Sequence, residues 1–326
     1  MEETGFLIMT SARSTNLRTH ARGSSTTRSE TRQIVMAIFP HADDAAWMCG
    51  GTLAKFATEG CKLVLVRVTN DDKDSMDLPT KKETERRNTE EFHRAAQILG
   101  ASEVIDLGFV TDMLADVSMV SLRERFVYLY RKHCPYAVFS FDPYATYEPN
   151  LDHIRVAQAV EEAYWVSNFH LHHPEHLEQG YMPHAVCERW YCARVPFDPN
   201  YAVDITDYFD RKVEALCANA TMLRNSLHQL QLQLRTWGRR VPILDDAIAS
   251  QELRPLVEGF FRQNAAAVAR SHGMKGGTLA EVFRVDRFGA WEGLFQTQSE
   301  SLPSTATEMQ TRPCFDPTRV SKKGFF

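Results

Sequence analysis

His41, Asp43 and Asp44 lie where an apolar run gives way to a helical pattern. Ile34–Phe39 has the length and the branched side chains of a buried strand, and the periodicity from Ala45 onward predicts a helix. His41 and Asp44 are close enough in a tight turn to bind one metal ion, and Asp43 between them could act on whatever that ion activates. The alternative is that these side chains satisfy backbone groups, with Asp44 capping the helix.

A second polar stretch favours the metal site over the capping role. It follows another strand-like apolar run, Tyr136–Phe141, and it precedes a helical pattern that starts at Ile154. The side chains in it that could bind or polarise a ligand are Asp142, Asn150, Asp152 and His153. Two such stretches in one chain favour a site to which both contribute.

Strands and helices alternate along the chain, which predicts a Rossmann-like, doubly wound α/β fold with a mostly parallel sheet and helices on both faces. The predicted strands are 34–39, 62–69, 103–107, 136–141 and 188–195, and the predicted helices include 81–99, 118–133, 154–166, 206–237 and 246–270. The doubly wound order 3-2-1-4 places strands one and four side by side, and the chain leaves them in opposite directions. Because ligands bind at this switch point, the two polar stretches should converge on one crevice.

Both stretches resemble motifs of the LmbE/PIG-L-type zinc-dependent N-acetylglucosaminyl deacetylases. The family's His-Pro-Asp-Asp-Glu motif corresponds to residues 41–45, with Ala in place of its Pro and its Glu. The family's His-x-Asp-His motif corresponds to residues 150–153, with Asn150 in place of the first His. Weaker matches extend the resemblance over residues 34–288, and they lie at 50–54, 87–100, 203–216 and 280–285.

The resemblance implies a metal site formed by His41, Asp44 and His153. Three protein ligands and one open position are the usual arrangement at catalytic zinc. Two imidazoles and one carboxylate also suit iron(II), so zinc follows from the resemblance and not from the ligand types. In the family pattern Asp43 is the general base, and Asp152 is a second carboxylate that orients or tunes a neighbouring His.

Three further residues take roles from the same resemblance. Asn150 occupies the position of the family's oxyanion-stabilising His, and its amide can donate a hydrogen bond but cannot carry charge. Either Asn150 substitutes for that His, or another group such as Tyr147 or a loop histidine assists, or activity is low. Arg87 and Asp112 fall near the family's sugar-binding Arg and Asp. A solvated helix residue is an equally good interpretation of Arg87, and the loop before Asp112 is one residue longer than the family pattern.

The sequence therefore predicts a metal-dependent hydrolase that removes an N-acyl group from an amino sugar or a related glycoconjugate. The favoured acyl group is N-acetyl. The alternative is a family member that binds metal or sugar without efficient turnover, because Asn150 replaces the family His. A nucleotide-binding Rossmann protein is disfavoured, since the first turn lacks Gly-x-Gly-x-x-Gly and carries acids where a phosphate would bind.

Composition narrows the range of partners. The net charge of −5 gives no reason to expect binding to nucleic acid, and no apolar run approaches the ~18 residues of a membrane span. Seven scattered cysteines without a Cys-x-x-Cys pair predict reduced thiols and a cytoplasmic location. The predicted partner is the small-molecule substrate, and the sequence leaves homo-oligomerisation open.

One catalytic domain is expected over residues 34–297, between two tails. The tail 1–33 is rich in Ser, Thr and Arg, and the tail 298–326 is rich in Ser, Thr and Pro, which predicts disorder in both. For the first tail, a mis-assigned start and a transit peptide are the alternatives. Residues 168–184 hold five histidines, which we interpret as a polar loop near the site entrance, with a second metal cluster as the alternative.

Overall fold

Seven strands form one sheet in the computed structural model, which describes residues 33–300. The strands are β1 (Ile34–Phe39), β2 (Lys62–Thr69), β3 (Glu103–Phe109), β4 (Ala137–Phe141), β5 (Glu188–Cys192), β6 (Tyr201–Asp204) and β7 (Ala280–Asp286). Their order is β3-β2-β1-β4-β5-β7-β6, and β1 to β5 are parallel, whereas β7 is antiparallel to both β5 and β6. The predicted doubly wound, mostly parallel architecture is confirmed.

Helices cover both faces of the sheet and enclose two apolar cores. They are α1 (Asp44–Thr58), α2 (Lys81–Leu99), α3 (Met119–His133), α4 (Leu151–Val166), α5 (Pro174–Glu178), α6 (Phe209–Ala218), α7 (Ala220–Thr236), α8 (Pro242–Ser250), α9 (Arg254–Ser271) and α10 (Glu292–Gln298). Successive side chains of a strand point to opposite faces, so Val35 and Phe39 join the core beneath α1, α2 and α6, while Met36 and Ile38 join the core beneath α3 and α4. Burial on both faces explains why β1 is apolar throughout.

The switch point lies between β1 and β4. These strands are neighbours in the sheet, with Val35 opposite Ala137 and Ala37 opposite Phe139. After β1 the chain enters α1 on one face, and after β4 it enters α4 on the other face. The loops that follow the two strands therefore open side by side at the carboxyl edge of the sheet.

α4 begins earlier than the sequence indicates, which places two candidate site residues inside a helix. The sequence places its start at Ile154, but the helix starts at Leu151 because Asn150 caps it. The Asn150 Oδ1 atom accepts a hydrogen bond from the Asp152 backbone N–H at 2.9 Å. Asp152 and His153 consequently lie in the first turn of α4, where the helical backbone defines their directions.

Two long helices predicted in the second half of the chain are each divided. The predicted helix 206–237 breaks at Asn219, whose side-chain amide donates to the Ala215 carbonyl at 3.1 Å. Asn side chains bind nearby backbone groups and so favour breaks over helix interiors. The predicted helix 246–270 is replaced by α8 and α9, and Gln251 between them has a left-handed backbone with φ of 63°.

The cysteines depart from expectation at one position. Within the described residues, the free thiols are Cys49, Cys134, Cys187, Cys192 and Cys217. Cys61 is disulfide-bonded, so the prediction of reduced thiols throughout is wrong there.

The predicted tails fall almost entirely outside the part of the chain that the structure describes. Their inner ends are described: Gln33 leads into β1, and Gln298 is the last residue of α10. Across residues 33–300, no helix combines the length and the apolar character needed to cross a membrane.

Candidate metal centre and catalytic site

His41, Asp44 and His153 meet at the carboxyl edge of β1 and β4. The loop after β1 carries His41, and the first turns of α1 and α4 carry Asp44 and His153. The His41 Nδ1 atom lies 3.1 Å from His153 Nε2 and 3.3 Å from Asp44 Oδ2, and His153 Nε2 lies 3.5 Å from Asp44 Oδ1. All three residues are buried, so their polar atoms face one another and not bulk water.

These separations fit a divalent metal ion among the three side chains. In a tetrahedral site with bonds of about 2.0–2.1 Å, two ligand atoms lie about 3.3–3.4 Å apart. The observed separations of 3.1 to 3.5 Å span that value. Two imidazole nitrogens that face each other so closely need a proton or a cation between them, because both cannot present a lone pair at this distance. Two imidazoles and one carboxylate suit zinc or iron(II).

Each imidazole turns its other ring nitrogen towards a carboxylate. His41 Nε2 lies 3.5 Å from Asp152 Oδ2, and His153 Nδ1 lies 3.2 Å from Glu148 Oε2. With a cation bound between the two rings, the N–H groups would face these carboxylates, and His41 Nδ1 and His153 Nε2 would present lone pairs to the cation. The His153 ring also stacks on Phe141, with centroids 4.0 Å apart and ring planes 14° apart. Glu148 is a residue that no sequence motif indicated.

Burial and neighbouring charges act in opposite directions within the cluster. Burial alone would lower the pKa of His41, but hydrogen bonds to Asp152 and Asp44 outweigh it and raise that pKa well above its ordinary value. Burial alone would raise the pKa of Asp44, but the nearby His153 and His41 lower it. The cluster therefore favours an ionised Asp44, which is the form that binds a cation.

Asp43 is buried beside the cluster without being tied to the backbone. It precedes α1, yet its carboxylate makes no capping hydrogen bond and receives none from the other described residues. Burial and then the charge of Asp44 raise the pKa of Asp43 to about 8, although His41 opposes them. The Asp44 Oδ2 atom accepts from the His41 backbone N–H at 2.9 Å. Capping at the helix start therefore does not account for Asp43.

Asp71 holds the loop after β1 in place, and sequence reasoning missed it. Its Oδ2 atom accepts from the Ala42 backbone N–H and from Arg67 Nη1, both at 3.1 Å, and its Oδ1 atom accepts from the Thr69 hydroxyl at 2.9 Å. Burial raises the pKa of Asp71 to about 7, although His41 and Arg67 lower it. The available signal was its position: an acid directly after β2 lies at the same sheet edge as the motif after β1.

Asn150 lies at the start of α4, and within residues 33–300 only one of its two side-chain polar groups is hydrogen-bonded. Its Oδ1 atom is used by the cap, and its Nδ2 group has no hydrogen-bond partner among residues 33–300. Tyr147, which we considered as an additional donor, is 84% exposed and has a left-handed backbone with φ of 66°. The role of Asn150 as a donor stays a prediction, and its amide Nδ2 group is available for it.

The two expected sugar-binding residues differ in their relation to the cluster. Asp112 adjoins it, because its backbone N–H donates to Asp152 Oδ2 at 2.7 Å, and Asp112 itself is exposed with φ of 60°. Arg87 is exposed on α2, and its guanidinium has no hydrogen bond or ion pair within the described part of the chain. The role of each in substrate binding stays a prediction.

The loop histidines lie at the opposite edge of the sheet, so placing them near the site entrance is wrong. α4 runs from the carboxyl edge back to the amino edge, and residues 168–184 follow its end. Arg131, near the end of α3, donates to three backbone carbonyls at and beyond the end of α4. His184 Nε2 lies 2.8 Å from the carbonyl of Pro135, which precedes β4. These histidines cannot assist the reaction at the carboxyl edge.

A second group within this loop, His173, Glu175 and His176, is also compact enough to hold an ion. However, both ring nitrogens of His176 already have protein partners, Glu124 Oε1 at 3.0 Å and Arg131 Nη1 at 3.4 Å. A guanidinium at that distance disfavours a second cation. The arrangement supports a structural loop over a second metal cluster.

Comparison with known proteins bears on the site through a family match and a curated relative. Residues 36–164 match the family model described as PIG-L: GlcNAc-PI de-N-acetylase, and this range contains both motifs. A diacetylchitobiose deacetylase from Thermococcus kodakarensis is 29% identical over 198 residues, which cover 60% of this chain and 72% of that protein.

Solved structures share the fold at lower identity. The N,N'-diacetylchitobiose deacetylase from Pyrococcus horikoshii has a TM-score of 0.63 at 21% identity, with 85% of this chain and 89% of that chain covered. GalB, the 4-carboxy-2-hydroxymuconate hydratase from Pseudomonas putida KT2440, has a TM-score of 0.59 at 18% identity, with coverage of 83% and 100%. A deacetylase and a hydratase thus share this fold, so the fold alone does not define the reaction.

Proposed function

We propose that this chain, whose resemblance to the PIG-L (LmbE-like) de-N-acetylases is confirmed by the family match, is a metal-dependent hydrolase that removes an N-acetyl group from an amino sugar. The observation that carries the proposal is the convergence of His41, Asp44 and His153 beside a buried carboxylate, Asp43, that no backbone group of residues 33–300 engages. Three ligands can hold an ion with an open position, and an uncommitted carboxylate beside them can move a proton.

The chemistry divides between the ion and this chain's own residues. A divalent ion held by His41, Asp44 and His153 would lower the pKa of a coordinated water to about 7 and polarise the amide carbonyl. Asp43 takes a proton from the attacking water and delivers it to the amide nitrogen as the C–N bond breaks. The Asn150 Nδ2 group donates to the former carbonyl oxygen, where negative charge develops. The products are acetate and a free amine.

We infer that zinc is the resident ion and that the substrate is an N-acetylated sugar. The ligand types admit zinc, and the family resemblance supports that choice over iron(II). The sugar is supported by the curated relative, which is named a diacetylchitobiose deacetylase. Asp112, exposed beside the cluster, is available to accept a hydrogen bond from a sugar hydroxyl, and Arg87 on α2 is the second expected contact.

The proposal is tested by measuring zinc content and amine release on a panel of N-acetyl amino sugars. The parent protein should bind about one zinc ion per chain and release amine from at least one sugar. Asp43→Asn should keep the zinc and lose about 10²–10⁴ in kcat, since it removes the proton carrier and no ligand. His41→Ala should lose the zinc as well as the activity. Full zinc occupancy in His41→Ala would end the assignment of the ligands.

The competing proposal is a protein that binds metal or sugar without efficient turnover. It is motivated by Asn150, which stands where the family pattern has a His. Zinc binding together with the absence of amine release on every sugar, in the parent and in Asn150→His alike, would favour it. Retention of Asp43, which is not needed to hold the ion, supports the catalytic proposal over this one.

A further inference from the structure

Glu148 lies in the loop between β4 and α4 and is withdrawn from solvent. Only 8% of its side chain is exposed, whereas the adjacent Tyr147 is largely exposed. Its Oε2 atom lies 3.2 Å from His153 Nδ1 and 3.1 Å from Arg194 Nε, and its Oε1 atom accepts from the Asn150 backbone N–H at 3.0 Å. The buried carboxylate thus connects a candidate metal ligand, the helix cap and a cation from the segment after β5.

We propose that Glu148 is the positioning residue of His153: it holds the proton on Nδ1, directs the Nε2 lone pair into the metal site and thereby raises the affinity for zinc. The inference rests on the proposed function in one respect, that His153 is a ligand. It goes beyond that function because it assigns a role to a residue outside both motifs.

The stacking partner of His153 cannot do this by itself. Phe141 lies flat against the imidazole at 4.0 Å and so fixes the plane of the ring. A half-turn of the ring about its Cβ–Cγ bond keeps that plane but exchanges Nδ1 with Cδ2 and Nε2 with Cε1. A carboxylate beside Nδ1 distinguishes the two orientations, and Glu148 Oε2 lies 3.2 Å from this nitrogen, as a close ion-pair contact whose geometry is not that of a hydrogen bond. Stacking therefore fixes the plane of the His153 ring. Glu148 selects which edge of the ring faces the metal site and which ring nitrogen carries the proton.

The surroundings of Glu148 suit this role. The Asn150 backbone N–H donates to its Oε1 atom at 3.0 Å and Arg194 Nε lies 3.1 Å from its Oε2 atom, so two donors favour the carboxylate form. An ionised acceptor makes a stronger hydrogen bond than a neutral one and increases the basicity of the opposite ring nitrogen. Arg194 is 52% exposed at its side chain, so its contribution through Glu148 is weakened by solvent.

The test compares zinc affinity, measured by competition with a chelator, in three variants. Glu148→Ala should weaken zinc binding by about 10–100-fold, as loss of an orienting carboxylate does elsewhere. Glu148→Gln, which keeps an acceptor but no charge, should fall between Ala and the parent. Arg194→Gln is the matched control, because it removes the other partner of the same oxygen and leaves the His153 contact; it should change affinity by no more than about fivefold.

A second readout uses the metal-free protein and does not depend on zinc or on turnover. Nitrogen chemical shifts of the His153 ring should report an Nδ1–H tautomer in the parent and in Glu148→Gln, and a mixture in Glu148→Ala. Zinc affinity and tautomer unchanged in both Glu148 variants would overturn the inference. If Glu148→Ala does not fold, the zinc affinity of Glu148→Gln, compared with that of the parent, tests the role of Glu148. A parent that binds no zinc would refute the proposed function, and the tautomer comparison would still decide the role of Glu148.

Discussion

Asn150 combines a structural and a chemical contribution, and substitution can separate them. Its Oδ1 atom caps α4 by accepting from the Asp152 N–H at 2.9 Å, and its Nδ2 group is the donor assigned to the developing oxyanion. Asn150→Ser keeps a capping oxygen of similar quality and removes the amide Nδ2 group; the Ser hydroxyl can still donate, but only from the cap oxygen and not from the Nδ2 position. Asn150→Ala removes both. The difference in melting temperature between the Ser and Ala variants measures the contribution of the cap. The difference in kcat between the parent and the Ser variant measures the contribution of the Nδ2 donor.

The two effects differ greatly in size. Loss of an N-cap costs about 1 kcal/mol, within a range of about 0.5–2 kcal/mol. For a domain of this length that shifts the melting temperature by roughly 2–4 °C. Loss of one oxyanion donor costs about 10²–10³ in kcat. Asn150→Ser should therefore melt like the parent and turn over about 10²–10³ more slowly, and Asn150→Ala should show that loss together with the lower melting temperature.

The assay is amine release under saturating substrate, with thermal unfolding measured on the same preparations. An Asn150→Ser protein that turns over like the parent would refute the donor role and leave Asn150 as a helix cap. The kcat of Asn150→His tests a further point, because the two interpretations of Asn150 predict changes of opposite sign. A higher kcat would mean that Asn150 handicaps the enzyme, and a lower one would mean that the site is adapted to it. We expect the lower value, because the three candidate ligands and Asp43 are all retained.

Two further predictions concern stability and the remote loop. A Cβ atom at Gly51 would lie 2.7 Å from Ile205 Cδ1, whereas one at Gly50 would lie 3.4 Å from Lys212 Cγ; Gly51→Ala should therefore cost about 1–3 kcal/mol in urea unfolding, and Gly50→Ala clearly less. Equal costs would contradict the close approach between α1 and the segment after β6. His172→Ala, at the amino edge, should leave zinc content and kcat unchanged, and a loss of either would contradict the placement of that loop.

The topology was predictable because it depends on a pattern that single sequences carry well. β2 at Lys62–Thr69 and α2 at Lys81–Leu99 have the predicted bounds, since the first is a β-branched and apolar run interrupted by Arg67 and the second has one apolar stripe among many charges. Once strands and helices alternate, right-handed crossovers leave few arrangements of a parallel sheet. Adjacency of β1 and β4 then follows, and with it the meeting of the two motifs.

Other features depend on contacts between segments that no spacing in the sequence reveals. Glu148 acquires its role only because β4 delivers it next to His153, and Asp71 acquires its role because the loop after β2 folds against Ala42. The histidines of residues 168–184 drew attention by their number, but α4 carries that segment to the far edge of the sheet. The direction of α4 decided this, and the predicted β-α-β alternation already implied it, because a helix between parallel strands returns the chain to the amino edge.

The segment after β4 orients both candidate histidine ligands, and helix geometry explains how. Asp152 and His153 are consecutive on α4, so their side chains point about 100° apart and cannot serve the same partner. With His153 turned into the cluster, the Asp152 carboxylate reaches His41 across the switch point at 3.5 Å, while Glu148 serves His153. The segment from the end of β1 into the first turn of α1 thus carries two candidate ligands and the proposed base, and the segment after β4 carries one candidate ligand and the two carboxylates that contact the imidazoles. Neither segment carries all three candidate ligands, so the proposed site requires β1 and β4 to be paired.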